Sequence, residues 1–381
     1  MNEKNIIIEK YLKDEISYPK YLTKKLKVLI LCNPCHGFGD VIFALKLSKY
    51  LRKWYGCKIK IATTTPDSFI SVGADVKDII LLETVRIKQC RRFSNVSPKK
   101  PIGKFDLYFV APLPADNEIL YRDISKLTPY SNRNNTFFFS EYNDELDKGF
   151  DFNTGIGKGR DGIFLVDIVS KRNTFKKKLG NYAVAYLAES IDKAEDCFFS
   201  FLKLITKKYK YKKFSVVTPK WIEELDFSRY VDKKNYGKIV VHSKDNSKDY
   251  EDEEIIINPL NTNELHIRCD ILPLKNKDML TLMKYSVDDI LLTGDQSITD
   301  ALSCCPRKNI FYQIAPWKEN FGKNLAKLLP NPYLSRKRTS CGTIKAINYK
   351  SDYREFIKNW DFRQRGKAKL DAVMAYAIDY L

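Results

Sequence analysis

The stretch that most narrowly limits what this chain can fold into is Asp288–Leu302. It carries the apolar run Ile290-Leu291-Leu292, as a strand buried on both faces does, and it breaks at Gly294. Beyond the glycine, Ile298, Ala301, Leu302 and Cys305 stand at helical offsets 0, 3, 4 and 7. Asn309-Ile310-Phe311-Tyr312 supplies the next strand and completes a β-α-β unit. A strand that stops at a glycine and feeds straight into a helix leaves the first helical N–H groups facing outward. With the helix dipole behind them, those groups form an anion site. Ser297 and Asp300, three apart, also fit a capping box, which needs no ligand. Both readings stand on the sequence.

The same alternation runs through the rest of the chain. Lys27–Cys32 reads as a buried strand, followed by a helix from about Val41 to Tyr55 with Val41, Ala44, Leu45, Ser48 and Leu51 on one face and Gly56 as its stop. Further strands are expected at Lys58–Ala62, Asp78–Leu82 and Asp106–Val110, after a leading helix or arm over residues 1–25. Residues 181–209 read as one or two helices, and Phe214–Val217 as the last strand before the chain crosses to a second domain. That domain is expected to open at Lys238–Lys244, with strands at Ile255–Ile257 and Ile267–Leu272 and a helix over Asp278–Tyr285. Strands alternating with helices predict doubly wound parallel sheets. The expected division is an arm (1–25), a first domain (26–218), a second (236–350) and a closing helix (351–381). In that helix Leu370, Val373, Met374, Ala377, Ile378 and Leu381 form an apolar stripe, suited to crossing back onto the first domain or to packing within its own.

A chain of 381 residues, 44% hydrophobic, is enough for two ordinary cores. No run approaches the length of a membrane span, and the start is too charged for a secretory signal. Nine irregularly spaced cysteines suit a reducing compartment, so a cytoplasmic protein is expected. The net charge of +19 favours an anionic partner: a nucleotide, a phosphorylated acceptor, a membrane surface touched peripherally, or nucleic acid. No nucleic-acid-reading module is recognisable, and no stable nucleic-acid partner is expected. The Thr154–Gly162 run, rich in glycine and basic residues, meets no phosphate-loop spacing and reads as a mobile loop.

The first loop holds the chemistry-bearing residues of the front half. Cys32-Asn33-Pro34-Cys35-His36 matches the haem-attachment pattern, but that chemistry requires export and the motif sits at the end of a buried strand. Only three histidines are present and no second ligand pair has suitable spacing, so no metal is expected. Gly37-Phe38-Gly39-Asp40 lacks the third glycine of a dinucleotide fingerprint, and there is no Walker lysine. Asp40 can cap the helix, or it can present a carboxylate at the end of a strand, where such sheets bind ligands. His36 titrates in the range a base requires. The loop after the fourth strand, with Asp116, would line the same side.

Gly294-Asp295-Gln296-Ser297-Ile298-Thr299-Asp300-Ala301-Leu302 resembles the donor-binding signature of GT-B glycosyltransferases, G-x-(N/Q)-S-x-x-(E/D)-A-L. That resemblance implies two Rossmann-like domains facing a cleft. It also implies small residues against a nucleotide-sugar diphosphate and Asp300 against the ribose. Lys318–Leu325 resembles the later polar segment that touches the donor sugar, with Asn320 and Asn324 as its contacts. Two positions depart from the pattern: Leu292 stands where many members carry histidine, and Cys304-Cys305-Pro306 replaces Gly-x-Pro. Gly39-Asp40-Val41-Ile42 resembles the first loop of bacterial heptosyltransferases, which implies Asp40 as the base that deprotonates the acceptor hydroxyl. Ser243 and Lys244, at the end of the strand taken to open the second domain, are expected phosphate contacts, with a solvated turn as the alternative.

The expected protein is a metal-independent, inverting glycosyltransferase with no cofactor beyond its nucleotide-sugar co-substrate, acting on a glycan or other hydroxyl acceptor. Two other classes fit the pattern. A non-hydrolysing nucleotide-sugar epimerase shares the fold but needs carboxylates and a histidine around the sugar, for which His36 and His242 are available. A basic nucleic-acid-binding protein on a degenerate version of the fold would bind with steep salt dependence.

Overall fold

The computed structural model describes residues 3–14, 25–34, 38–84, 93–112, 117–146, 149–166, 172–243, 252–305, 308–328, 334–335, 344–347 and 357–381. The chain divides into two units: Met1–Leu165 together with Lys358–Leu381, and Val166–Ile357.

The first unit runs α1 (Glu3–Lys13), β1 (Lys27–Leu31), α2 (Gly39–Tyr55), β2 (Lys58–Thr63), α3 (Pro66–Ser71), β3 (Ile79–Thr84), β4 (Val96–Pro98), β5 (Leu107–Val110), α4 (Asn117–Leu127) and β6 (Thr136–Phe138). Its sheet has the order β4-β3-β2-β1-β5-β6, and only the β3–β4 pairing is antiparallel. Val28, Leu29, Ile30 and Leu31 are fully buried, because a central parallel strand is covered on both faces and has no polar side to alternate with. Gly56 ends α2 in the left-handed region (φ 64°), and its N–H donates to the Arg52 carbonyl. The expected face of α2 is buried, and so are Ile42 and Phe43. A second aromatic layer covers that further side, with Phe43 4.9 Å from Phe164 and 5.5 Å from Tyr142 between ring centres.

The glycine-rich run is an ordered turn rather than a mobile loop. Gly155 donates to the Gly162 carbonyl, and the Asn143 side chain clamps Ile156 from both sides, accepting from its N–H and donating to its carbonyl. The glycines are there for space and backbone angle: a Cβ on Gly155 would fall 2.5 Å from Asn143 Oδ1.

The second unit contains α5 (Lys176–Leu179), β7 (Asn181–Tyr186), α6 (Ala194–Lys208), β8 (Lys213–Val217), β9 (Lys238–His242), β10 (Glu253–Ile256), β11 (Glu264–Arg268), α7 (Asn276–Tyr285), β12 (Asp289–Thr293), α8 (Asp295–Cys304), β13 (Asn309–Gln313), α9 (Glu319–Leu328), β14 (Leu334–Ser335) and β15 (Ile344–Ile347). The sheet order is β10-β9-β11-β8-β7-β12-β13-β15-β14, parallel from β9 through β13 and antiparallel at both edges. Here the expected boundary at 218 is corrected. The β7 and β8 strands lie in the middle of this sheet, Asn181–Tyr186 is a strand rather than the start of a helix, and Lys238–His242 is the third strand of its unit rather than the first. The alanines of Tyr182-Ala183-Val184-Ala185 suit either element, and burial decides: Ala183 and Ala185 lie flat beneath α6, in the cluster with Phe198, Phe201 and Leu202.

The chain then returns to the first unit with α10 (Phe362–Arg365) and α11 (Lys367–Tyr380). Ile163 donates to the Trp360 carbonyl and Phe362 to the Ile163 carbonyl. Tyr55 Oη donates to Asp371 at 2.7 Å and Tyr11 Oη to Asp379 at 2.5 Å, which ties α11 to α2 and α1. Gly162 lies beneath this return, at φ 90°, where a Cβ would stand 2.7 Å from the Trp360 carbonyl oxygen. Gly162→Ala is therefore expected to cost at least about 1–3 kcal/mol from backbone angle alone. Urea unfolding of the full chain measures this, and an unshifted midpoint would mean the return strand is not seated as described.

Candidate functional site

In each sheet one point is marked by topology. The first unit reverses its direction of growth between β1 and β5, and the second between β7 and β12. Ligands of open parallel sheets bind outside the strand C-termini at such reversals.

In the second unit this point is made by Thr293-Gly294-Asp295 and by the loop after β7. Gly294 has φ 74° and ψ 155°, a region that side-chain-bearing residues rarely occupy, and a Cβ there would meet nothing within 4 Å. It is the residue before the first turn of α8, and no side chain caps that end. The capping box expected of Ser297 and Asp300 is thus overturned: the helix begins two residues before Ser297, which stands in its first turn, half-buried. The outward N–H groups at this end carry the positive partial charge of the dipole.

Asp295, first in the helix, places a carboxylate at that positive end, and it is buried. Its Oδ2 lies 2.8 Å from Lys318 Nζ, with both side chains under one-tenth exposed. Lys318 comes from the short turn after β13, so the neighbouring strand end supplies the counter-charge. The Tyr312 hydroxyl lies buried in the same place with no hydrogen-bond partner among the described residues. Burial, and then the Asp295 charge, push its acidity well above the ordinary phenol range. Thr293 Oγ1 donates to the Gln313 carbonyl, and the Gln313 amide accepts from Ala188 N–H at 3.0 Å and donates to its carbonyl at 3.2 Å. The ends of β12 and β13 are thereby stitched to the loop after β7.

Of the remaining expected donor contacts, Gln296 is buried. Asp300 is also buried, and its carboxylate accepts from Asn276 Nδ2 at the start of α7, at 3.4 Å. Asn320 is exposed in the first turn of α9 and Asn324 is half-buried one turn on. Ser243 is not brought to this site. It follows β9, four strand spacings from β12, roughly 19 Å at the usual separation. Lys244 lies outside the described residues. The loop that follows the first strand of this unit is Leu187 to Lys193, after β7, which the helical reading of residues 181–209 concealed.

His242 shares the distance of Ser243. Its Nε2 is 2.7 Å from Nδ1 of His266, and each ring holds a carboxylate on its far side, Asp252 at 2.7 Å and Glu264 at 3.0 Å. Burial, with Arg268 second, keeps His242 below the usual imidazole range, and burial does the same for His266. This pair closes one flank of the sheet and is absent from the Gly294 turn, so the histidine an epimerase requires is not supplied by His242.

In the first unit the reversal lies between the ends of β1 and β5. Cys32 and Asn33 are buried, and Asn33 Oδ1 accepts from Thr64 Oγ1 at 2.5 Å, joining the ends of β1 and β2. Asp40 is the second residue of α2, half-buried, and its carbonyl accepts from Cys32 Sγ at 3.7 Å. The residue before the helix is Phe38, and no side chain caps it, so Asp40 is not the helix cap. Gly39 takes an ordinary helical conformation with open space where a Cβ would stand, so the backbone turn does not demand it. His36, Gly37 and Asp116 lie outside the described residues, as does Cys35. Among the described residues Cys32, Cys57, Cys197, Cys269, Cys304 and Cys305 form no disulfide, and no group of three or more metal-binding side chains is assembled. No helix among them is long and apolar enough to cross a membrane.

No protein-family model matches this chain, and no curated protein matches it. Among solved structures it is similar to an α-glucosyltransferase in complex with UDP and a 13-mer DNA containing an HMU base. The likeness covers 93% of this chain and 95% of that one, at 12% identity and a TM-score of 0.43.

The Asp295–Lys318 pair yields a measurable expectation. Lys318→Met leaves a buried carboxylate without its partner and should destabilise the chain by about 3–5 kcal/mol, whereas Asp295→Asn combined with Lys318→Met should recover most of that loss. Chemical denaturation of the three proteins decides it; equal stability of the single and double variants would mean the pair is not coupled.

Proposed function

We propose that this chain is a nucleotide-sugar glycosyltransferase whose second unit holds the donor diphosphate at the Gly294 turn and whose first unit supplies a base, Asp40, to the acceptor hydroxyl. The observation that carries this reading is the state of the α8 N-terminus. It is uncapped, it stands at the topological reversal, and its one built-in carboxylate is neutralised by Lys318. A helix start whose own negative charge is already matched keeps its positive end for an incoming anion. Gly294 lets that anion approach the backbone closely, since no Cβ stands in the way.

The chemistry asks for two things. The sugar–phosphate bond must break with its negative charge received by fixed donors, and a proton must leave the attacking hydroxyl. The first falls to the α8 N–H groups, with Ser297 in the first turn and the Asp300–Asn276 pair available to ribose hydroxyls. The second falls to Asp40, half-buried at the equivalent reversal of the first sheet, with His36 as the alternative base. Attack from the side opposite the leaving diphosphate gives an inverted product. The acceptor is a hydroxyl compound, and DNA belongs in the screen for it, since the solved structure named above contains both UDP and DNA. The expectation of no stable nucleic-acid partner is withdrawn to that extent.

Asp40→Asn is expected to fold normally, bind nucleotide sugar with unchanged affinity, and lose roughly 10²–10⁴-fold in turnover. Asparagine keeps the size and hydrogen bonding of aspartate and removes its basicity, so near-wild-type turnover would move the base to His36. Activity should also persist in excess chelator, because N–H groups and lysine rather than a cation meet the diphosphate charge. Loss of turnover in chelator, restored by manganese or magnesium, would overturn the metal-independent form of the proposal.

A further inference from the structure

The first unit contains a cavity of about 580 Å³ at the opposite ends of its strands from Asp40. It lies between the starts of β1, β2 and β3 and the segment Lys99–Phe105. Lys27 and Lys58 are the first residues of β1 and β2 and pair in register, so their side chains leave the same face of the sheet. Lys60, two residues on, shares that face, and the segment opposite contributes Lys99, Lys100 and Lys104. A sphere of this volume is roughly 10 Å across, close to the Debye length of about 8 Å at physiological salt, so charges gathered around it are only partly screened from one another.

Little offsets them. Lys60 donates to the Lys77 carbonyl, and Lys99 stands 3.8 Å from Glu83 on the exposed rim. Asp106 is engaged by the Lys27 backbone N–H at 2.7 Å. Lys27, Lys58, Lys100 and Lys104 have no ion-pair partner among the described residues. Between the lysines the wall is apolar, with Ile80, Ile102 and Phe105 facing the same space. Two strand starts and a facing segment bring these lysines around one concavity of ligand size, with Lys60 held by the Lys77 carbonyl, Lys99 near Glu83, and Lys27, Lys58, Lys100 and Lys104 exposed around it.

We infer that this cavity is a binding site for a compact polyphosphate: a small molecule carrying two or more adjacent phosphoryl groups, received by the lysines, with any organic portion against Ile80, Ile102 and Phe105. Closely spaced phosphoryl charges match lysines gathered around such a volume, four of them without an ion-pair partner among the described residues, while an extended nucleic-acid backbone would engage only its rim. The five-residue length of β1 sets the cavity about 13–16 Å from the Asp40 loop, so the site is separate from the one proposed for catalysis and does not rest on it.

Titration calorimetry of the full chain with inorganic tripolyphosphate and, separately, with ATP tests this. The triple variant Lys27→Gln/Lys58→Gln/Lys104→Gln should weaken tripolyphosphate binding at least tenfold. The control Lys203→Gln/Lys207→Gln/Lys212→Gln, three lysines of the second unit, should leave it unchanged. Tighter binding of ATP than of tripolyphosphate would assign the apolar wall to an organic moiety, and equal binding would assign the site to the phosphoryl groups alone; both support the proposal. All six lysines substituted are exposed, so folding is expected to survive, and thermal melting of each variant without ligand confirms it. If a triple variant unfolds, Lys58→Glu alone should still weaken binding. Absence of tripolyphosphate binding, equal loss in the control, or undiminished binding in the cavity variant overturns the inference. So does binding of a DNA duplex that the cavity variant abolishes while tripolyphosphate fails to bind.

Discussion

Parallel pairing is the constraint from which the rest of this molecule follows. Strands of like direction cannot be joined by tight turns, so each must be followed by a crossover, and every crossover delivers its first loop to the same edge of the sheet. Eleven of the strands pair in parallel in this way, and the turns that matter, after Cys32-Asn33 and at Thr293–Asp295, are placed by that rule before any specific contact is made. Burial on both faces follows too: the interiors of β1 and β12 consist of apolar residues with no polar alternation because a helix lies above and another below.

Within that frame the Asp295–Lys318 pair has an electrostatic role out of proportion to its size. A lone carboxylate beside the α8 N-terminus would be stabilised by the dipole and would, in turn, cancel it. Paired with lysine, it becomes a locally neutral fixture that orients the turn after β13 against the start of α8. The Tyr312 hydroxyl, which has no hydrogen-bond partner among the described residues, is held protonated by burial close to this pair. The Gln313 side-chain amide then fixes the third loop at this edge by two hydrogen bonds to the Ala188 backbone, beside the buried Leu187 and Ile191 of that loop.

How much of this was legible in the sequence depended on the strength of local punctuation. Strand, Gly294 and helix were readable because three signals coincide within a few residues: an apolar run, a glycine, and helical spacing. The same is true of β1, α2 and Gly56. The domain boundary was not readable, because Tyr182-Ala183-Val184-Ala185 has helix-forming alanines, and its identity as a strand is imposed by the α6 side chains above it. That one misreading displaced the start of the second sheet by two strands and placed Ser243 at the end of its first strand instead of its third. Lys318 and Asn276 were invisible for a different reason: each acquires its meaning from a partner, Asp295 or Asp300, on another element. The glycine-rich run misled in the opposite sense, since Gly155 and Gly162 serve close backbone approach and not looseness.

The chain leaves the first unit at Leu165 and re-enters it at Lys358, having built the whole second unit in between. During synthesis, the second unit is contiguous and can close on itself as soon as its last strands emerge. The first cannot: Phe362, which packs against Phe164 at 4.7 Å, and Asp371, which receives the Tyr55 hydroxyl, are made only after the whole second unit. The aromatic layer over α2 therefore waits, open, for a segment made after the second unit, and the entropic cost of closing that long loop falls once the intervening residues have folded.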